Sequence, residues 1–392
     1  MALSVPPPLH TAEVGTFAHN TLRVRVPEIL QKVRRALEPL SREVAANFDQ
    51  LYAELTAGVI GEFLDLGPDA EDWRLAVAPH VGKSWLNLPW YFAEAFFYRR
   101  VLAATGFFGS GALARVDPYA SFKMSELTDS EGLGRLRRVL DDLDRLKGER
   151  ERLKALFLAS LWGNRVDLSY NVAEKLGSHE GDTASDLLVD DSDRVARLLI
   201  ENRNARISLI ADNAGTEFLM DLALVHELIQ LGATVELHLK AQPTFVSDAT
   251  AEDLEATLAC LSNSANVRLS ALGSELRAFL SRGQLVAVPD LFYTSSFHYP
   301  QMPLALRTRL SPCALVILKG DANYRRLCSD AHWPADTSFS AVVGYFPAPL
   351  VALRTLKSEV VVGLAPGGAE ALSKEDPEWL VNGRRGVIQA RL

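Results

Sequence analysis

The stretch Arg206-Ile207-Ser208-Leu209-Ile210-Ala211-Asp212-Asn213-Ala214-Gly215-Thr216-Glu217 changes its grammar in the middle. Residues 206–211 form a short aliphatic run around Ile207, Leu209 and Ile210, the composition of a buried strand. Residues 216–231 then read as a helix, and Gly215 supplies the tight turn between the two. The alternation continues downstream. Residues 233–239 are predicted as a strand and 251–261 as a helix, with further strands at 267–272, 284–288, 314–318 and 359–364. Strands separated by helices imply an α/β fold with a mostly parallel sheet and helices on both faces.

Upstream the pattern is helical. Pro27 stands in the first turn of a segment where Leu30, Val33, Leu37 and Leu40 recur at helical spacing. An unusually aromatic helix from Trp90 through Val101 carries Glu94 and Arg99, and residues 135–162 form a long stretch with Leu140, Leu143, Leu146 and Leu153 available for one face. Small and polar residues at 177–182 mark the change of pattern. The 392 residues thus divide into an N-terminal all-helical domain, 1–180, and an α/β domain, 181–392.

With 48% hydrophobic and 23% charged residues, the chain has the composition of an ordinary globular protein. Its formal charge of −8 offers no bulk attraction for a nucleic-acid backbone. Cys260, Cys313 and Cys328 include no Cys-x-x-Cys pair, which argues against a disulfide framework or a cysteine-bound zinc. No stretch approaches ~18 uninterrupted apolar residues, and the first eight residues lack a signal-peptide pattern. The expectation is a soluble cytoplasmic protein with neither nucleic acid nor membrane as partner.

In open parallel sheets, ligands bind beyond the carboxyl ends of the strands. Reading each strand to its end gives Asp212-Asn213, Lys240 with Asp248 beyond it, Asp290, and Lys319-Gly320-Asp321. A carboxylate beside a carboxamide suits a hard cation such as Mg²⁺ or Mn²⁺, but Asp212 or Asn213 could equally cap the helix that follows. Asp248 is either a third ligand or a cap for the helix at 251. Lys319, with Asp321, Asn323 and Arg325 behind it, either meets a phosphate or forms an internal salt bridge. Arg354-Thr355-Leu356-Lys357 adds two cations for a second phosphate or carboxylate contact.

Other features carry less. Residues 187–193 end in an Asp-x-Asp resembling an aspartate-nucleophile phosphatase, but a helix follows at once and capping explains the acids. The glycines at 106–111 and 363–368 lack dinucleotide or phosphate-loop spacing, and no Gly-x-Ser-x-Gly elbow occurs. His298 has no acidic partner in sequence, and the aromatic stripe at 85–98 reads as core.

Together, Asp212-Asn213-Ala214-Gly215-x-Glu217, the Asp248 loop, Lys319-Gly320-Asp321-x-Asn323-Tyr324-Arg325 and Arg354-Thr355-x-Lys357 resemble the metal-dependent damage-control phosphatase family. The Arg-Thr-x-Lys signature points to its third subfamily, sugar-phosphate phosphatases also described as acidic-residue methyltransferases. Segments at 17–30, 90–100, 161–169 (with Asn164 and Asp167) and 333–334 extend the resemblance in matching order over nearly the whole chain.

The resemblance implies a helical domain on a Rossmann-like α-β-α sandwich, with a divalent cation held by Asp212, Asn213 and Asp248. It assigns Lys319 to the phosphate, and Glu217, Asp321, Asn323, Tyr324, Arg325, Arg354 and Lys357 to substrate binding. Mn²⁺ or Mg²⁺ is implied, with Co²⁺ or Ni²⁺ admitted. The implied partner is a small phosphorylated metabolite, fructose 1-phosphate or fructose 6-phosphate foremost. Ala322 stands where the subfamily has a larger apolar residue. Glu94 or Arg99 is expected to approach the site. Spacing leaves open whether water attacks directly or Asp212 first forms a phospho-enzyme. The rival readings are an S-adenosylmethionine-dependent protein-carboxylate methyltransferase, for which no glycine-rich loop is present, and a non-catalytic sugar-phosphate-binding protein.

Overall fold

A computed structural model describes residues 3–163 and 186–392. Asn164 and Asp167, and the polar cluster at 177–182, lie outside the described residues. Seven strands form one sheet: β1 (Leu187–Asp190), β2 (Arg206–Ile210), β3 (Thr234–Lys240), β4 (Leu285–Asp290), β5 (Leu315–Lys319), β6 (Leu350–Thr355) and β7 (Gly386–Arg391), in the order β1-β7-β6-β5-β2-β3-β4. Strands β2 to β6 are mutually parallel; β7 runs antiparallel to β6, and β1 runs parallel to β7. The fold is therefore the expected α/β sandwich with a mostly parallel sheet and many helices.

Sheet order fixes the site. The chain leaves β2 for β3 and β4 on one side and reaches β5 and β6 on the other, so strand order reverses between β2 and β5. Helices and loops diverge there, opening a crevice at the carboxyl ends. Asp212 follows β2 and Gly320 follows β5, facing each other across that point.

Each strand alternates between two cores. Val316, Leu318, Leu350 and Ala352 face one apolar cluster; Leu315, Ile317, Val351 and Leu353 face the other. The first cluster joins the sheet to the N-terminal helices, above all the Trp90–Thr105 helix, which is buried on nearly every side. The second joins it to the Glu149–Trp162 and Thr216–Gln230 helices, among others. Both cores draw on residues from each half of the chain. Among the described residues no helix is long and apolar enough to cross a membrane.

Several elements correct the sequence reading. Residues 267–272 are not a strand but open the Val267–Ser281 helix, because the Asn266 side chain accepts hydrogen bonds from Arg268 N at 3.1 Å and Leu269 N at 3.3 Å. Leu269, Leu272, Leu276 and Phe279 then bury one helical face. Residues 135–162 form two helices, Ser130–Leu143 and Glu149–Trp162. Residues 359–364 join no ladder. Their backbone is satisfied otherwise: Val362 N donates to Tyr324 Oη at 3.3 Å, Gln389 Nε2 donates to Val362 O at 2.7 Å, and Gly363 N donates to Thr337 O at 2.8 Å. The sheet positions go instead to β6 and β7. Residues 187–190 are a strand, and the Ser192–Glu201 helix follows immediately with Asp190 accepting from Ser192 N at 2.9 Å.

Candidate functional site

The capping alternatives fall first. The Thr216–Gln230 helix has Gly215 as its N-cap, with no side-chain cap bond. Its Thr216 N–H donates to Glu126 Oε1 at 3.2 Å, from the N-terminal helices. Asp212 and Asn213 are thus free of capping duty. Asp248 is free of it too, because Thr250 and Asp253 form a capping box on the Ala251–Ser262 helix.

Backbone pairing brings the three oxygen donors together. Ala249 N donates to Asp212 O at 2.8 Å and Ala214 N to Ser247 O at 2.6 Å, so Asn213 and Asp248 pair as an isolated antiparallel bridge. The 242–248 loop reaches this position through Phe245 (φ +47°) and Val246 (φ +66°), a conformation that β-branched residues rarely adopt. Phe245 is held against Tyr98, with ring centroids 4.8 Å apart.

Charge in the cluster is out of balance. Asp212 and Asp248 are buried, and so are Glu217 and Asp221 one helical turn apart. Two ammonium groups answer them. Lys240 Nζ lies 3.2 Å from Asp248 Oδ2 and donates to Ala211 O at 3.1 Å. Lys319 Nζ lies 2.9 Å from Asp221 Oδ1 and 3.2 Å from Glu217 Oε1, and it also donates to Ser160 O. Among the described residues Asp212 has no cation within ion-pair range, and its Oδ1 is buried without a donor. Its Oδ2 receives only the Asn213 amide, Nδ2 at 3.1 Å, which also donates to Glu217 Oε2 at 2.9 Å. Burial, reinforced by the charges of Asp248 and Glu217, holds the Asp212 carboxyl well above the usual carboxylate range. Burial raises Asp221 to about 6 against the pull of Lys319, and raises Asp248 against the pull of Lys240.

This donor set fits a divalent cation. An orphaned carboxylate oxygen in a protein interior calls for a partner, and Asn213 places an N–H₂ donor between two carboxylates where a cation would bring positive charge. Its Oδ1 accepts from Ser247 Oγ at 2.5 Å; turning the amide by 180° would direct Oδ1 to the same point and leave Nδ2 to donate to the Ser247 hydroxyl. Among the described residues no three His, Cys, Asp or Glu side chains form a metal cluster; the third oxygen would be the Asn213 carboxamide.

The cationic residues divide into two kinds. Lys319 is 1% exposed, and its three donors are all engaged, which is the salt-bridge alternative of the sequence reading. Arg354 is fully buried: Nε donates to Asp321 Oδ1 at 2.8 Å, Nη2 to Ser358 Oγ at 2.8 Å, and Nη1 to Val360 O. Arg325 pairs with Asp330 Oδ1 at 2.7 Å and with Glu94, and lies 3.5 Å over the Trp90 ring. Lys357 differs. Its side chain is exposed, no carboxylate lies within 4.0 Å of its ammonium among the described residues, and its charge acts on both Asp212 and Glu126.

The remaining sequence candidates are all engaged by other groups of the protein. Asp321 Oδ1 also accepts from Lys357 N at 3.2 Å and Ser358 Oγ at 2.9 Å, clamping the loop after β6. Burial works against its ionisation, but the Arg354 and Arg325 guanidiniums hold it below the usual range. Asn323 Nδ2 donates to Lys319 O at 2.9 Å and its Oδ1 accepts from Tyr299 Oη at 2.9 Å. Tyr324 donates to Gln389 Oε1 at 2.8 Å. Glu94 reaches Arg325, whereas Arg99 is engaged with Asp69 at 2.9 Å and with Leu66 O, neither of which belongs to the Asp212 cluster.

Sequence reading missed Asp221 and Glu126, and it placed Lys240 at a strand end without giving it a role. Asp221 is an acid inside the apolar run from Phe218 to Val225, one turn beyond Glu217, a signal visible in the sequence. Lys240 ends a strand as Lys319 does, but one in which Glu236 and His238 alternate with Val235, Leu237 and Leu239. Glu126 comes from a distant helix, and nothing local announces its role.

A family model described as the damage-control phosphatase ARMT1-like domain matches residues 21–372. The chain is 30% identical over 438 residues to "Damage-control phosphatase ARMT1" of Bos taurus, covering 98% of each chain. It is 30% identical over 425 residues to that of Danio rerio, covering 96% of this chain and 94% of the other. A crystal structure of a DUF89 family protein from Pyrococcus horikoshii is similar with a TM-score of 0.46 and 15% identity, over 94% of this chain and 98% of that one. The chain belongs to the family of damage-control phosphatase ARMT1-like proteins.

Proposed function

We propose that the protein is a divalent-metal-dependent phosphatase acting on sugar phosphates, with fructose 1-phosphate and fructose 6-phosphate as the first candidates. One observation carries the reading: Asp212, in a chain of a phosphatase family, is a buried carboxylate with an orphaned oxygen beside Asn213 and Asp248 at the strand-order reversal. Those three residues would hold Mn²⁺ or Mg²⁺, with Co²⁺ or Ni²⁺ admitted by an all-oxygen set. When bound, the cation supplies Lewis-acid polarisation of a phosphoryl oxygen and the positive charge this cluster lacks.

The chain's own residues do the rest. Lys319 can reach a phosphate oxygen by exchanging its longest contact, the 3.2 Å one to Glu217, and Glu217 beside it is the candidate partner of a sugar hydroxyl. Lys357 offers an ammonium to the same phosphate without breaking any ion pair. Asp321, Asn323, Arg325 and Arg354 hold the loops that present these two lysines, and neutralise one another without drawing on the substrate.

The test is a screen for released inorganic phosphate, with each metal against a panel of phosphometabolites. Release that chelation abolishes and Mn²⁺ or Mg²⁺ restores is expected; no release with any metal across the panel overturns the reading. Tight S-adenosylmethionine binding without metal, measured by calorimetry, would favour the methyltransferase reading. Lys357→Ala should raise KM about 10- to 100-fold, the worth of a charge-assisted hydrogen bond, while kcat changes little. Steady-state kinetics check this, and an unchanged KM removes Lys357 from the phosphate site.

A further inference from the structure

The loop that carries Asp248 is not self-supporting. Phe245 and Val246 adopt positive φ in succession, and a few residues later Thr250 caps the Ala251–Ser262 helix. That helix start depends on Asp253: its Oδ2 accepts from Thr250 N at 2.9 Å and from Thr250 Oγ1 at 3.0 Å, and Asp253 N donates back to Thr250 Oγ1 at 3.4 Å.

The same Asp253 oxygen is gripped from a distant part of the chain. Lys123, in the Ala120–Leu127 helix, places Nζ 2.7 Å from Asp253 Oδ2 and 2.9 Å from Asp117 Oδ2, with its side chain 3% exposed. A lysine buried at this cost is retained where its ion pairs fix geometry. Its two partners have different duties. Asp117 Oδ1 accepts from Tyr119 N at 2.7 Å, within the N-terminal helices. Asp253 reaches the Asp248 loop through Thr250, whose neighbour Ala249 donates to Asp212 O.

We infer that Lys123 is a positioning residue for the candidate metal centre: it pins Asp253 and thereby fixes the strained loop that holds Asp248 opposite Asp212 and Asn213. The inference rests on the metal-centre reading for its consequence, but not for its geometry.

The test compares wild type with Lys123→Met, Lys123→Arg and Asp117→Asn in the full chain, with Lys123→Met/Asp117→Asn added because Lys123→Met alone leaves two buried acids unpaired. Mn²⁺ affinity is measured by calorimetry on chelator-stripped protein, and backbone hydrogen exchange is followed over residues 242–249 and, as a remote control, over β7. Lys123→Met, alone or in the double variant, should weaken Mn²⁺ binding by about 10- to 100-fold, the range for groups that support metal ligands. It should also speed exchange in the loop but not in β7. Lys123→Arg should recover most of the affinity, and Asp117→Asn should leave it near wild type. A folded Lys123→Met or double variant with wild-type loop exchange overturns the inference, as does equal acceleration of loop and β7. If wild type itself binds no Mn²⁺, the metal reading fails and the loop exchange alone decides the role of Lys123.

Discussion

Asp212→Ala is expected to abolish phosphate release, by on the order of 10³-fold or more in kcat/KM, while the metal-free protein becomes no less stable. The two halves of that result have one cause. Asp212 is buried with no cation in ion-pair range and one oxygen unsatisfied. In the metal-free protein this carboxyl is a cost of roughly 1–3 kcal/mol, the penalty for a buried polar group without a partner. Alanine removes the penalty together with the proposed ligand. A core substitution that merely damaged packing would lower activity and melting temperature together. Wild type should gain stability from Mn²⁺, about 2.7 kcal/mol at a hundredfold excess over the dissociation constant, and the variant should gain none. Thermal melts with and without metal, beside phosphate-release kinetics, check both halves. Wild-type activity in Asp212→Ala, or no metal-dependent shift in wild type, would reject the proposed centre.

Gly320→Ala should be nearly as damaging, by a different route. Gly320 has φ +83°, and a Cβ built there would stand 1.8 Å from Asp212 Oδ2, 2.2 Å from its Cγ and 2.7 Å from its Cβ. The backbone conformation alone costs about 1–2 kcal/mol for any other residue. Relieving the overlap costs about 1–3 kcal/mol more, because Asp212 is buried and has little room to turn. A loss of about 2–5 kcal/mol is expected, with activity lost because Asp212 must leave its position. Adding Asp212→Ala should restore part of the stability, since the two nearest clashing atoms are gone, and a double-mutant cycle by thermal melting measures that coupling. A Gly320→Ala protein with wild-type melting temperature and activity would show that Asp212 does not occupy the place described.

These two residues also show what the sequence makes legible. Lys319 stands at the end of a fully apolar run and Asp212 at the end of a mostly apolar one, and in a parallel sheet buried on both faces such runs announce strands whose ends are functional positions. Their adjacency was not legible, because it depends on β2 lying between β3 and β5. The antiparallel strand β7 was missed for a physical reason: Gly386-Val387-Ile388-Gln389-Ala390-Arg391 carries polar residues that a buried strand should lack. Gln389 is tolerated because its amide is fully used by Tyr324 and Val362. Val360-Val361-Val362 is more strand-like in composition, but both edges of β6 are already taken by β5 and β7. The Arg354-Thr355-x-Lys357 motif is conspicuous in sequence, yet only the structure separates its two cations, one buried in a clamp and the other open to an incoming anion.

The position of β7 also orders the steps of folding. Among the described residues strand β1 pairs with β7 and with no other strand, and β7 lies between it and β6. During synthesis β1 emerges before β2 through β6 but finds no edge to join until residues 386–391 follow. The parallel half of the sheet, with Asp212, Asp248 and Lys319, can assemble earlier. The edge of β6 therefore stays open from the time residues 350–355 are made until residues 386–391 follow, and it is at that edge that a chain stalled or truncated in between would be prone to pair with its neighbours.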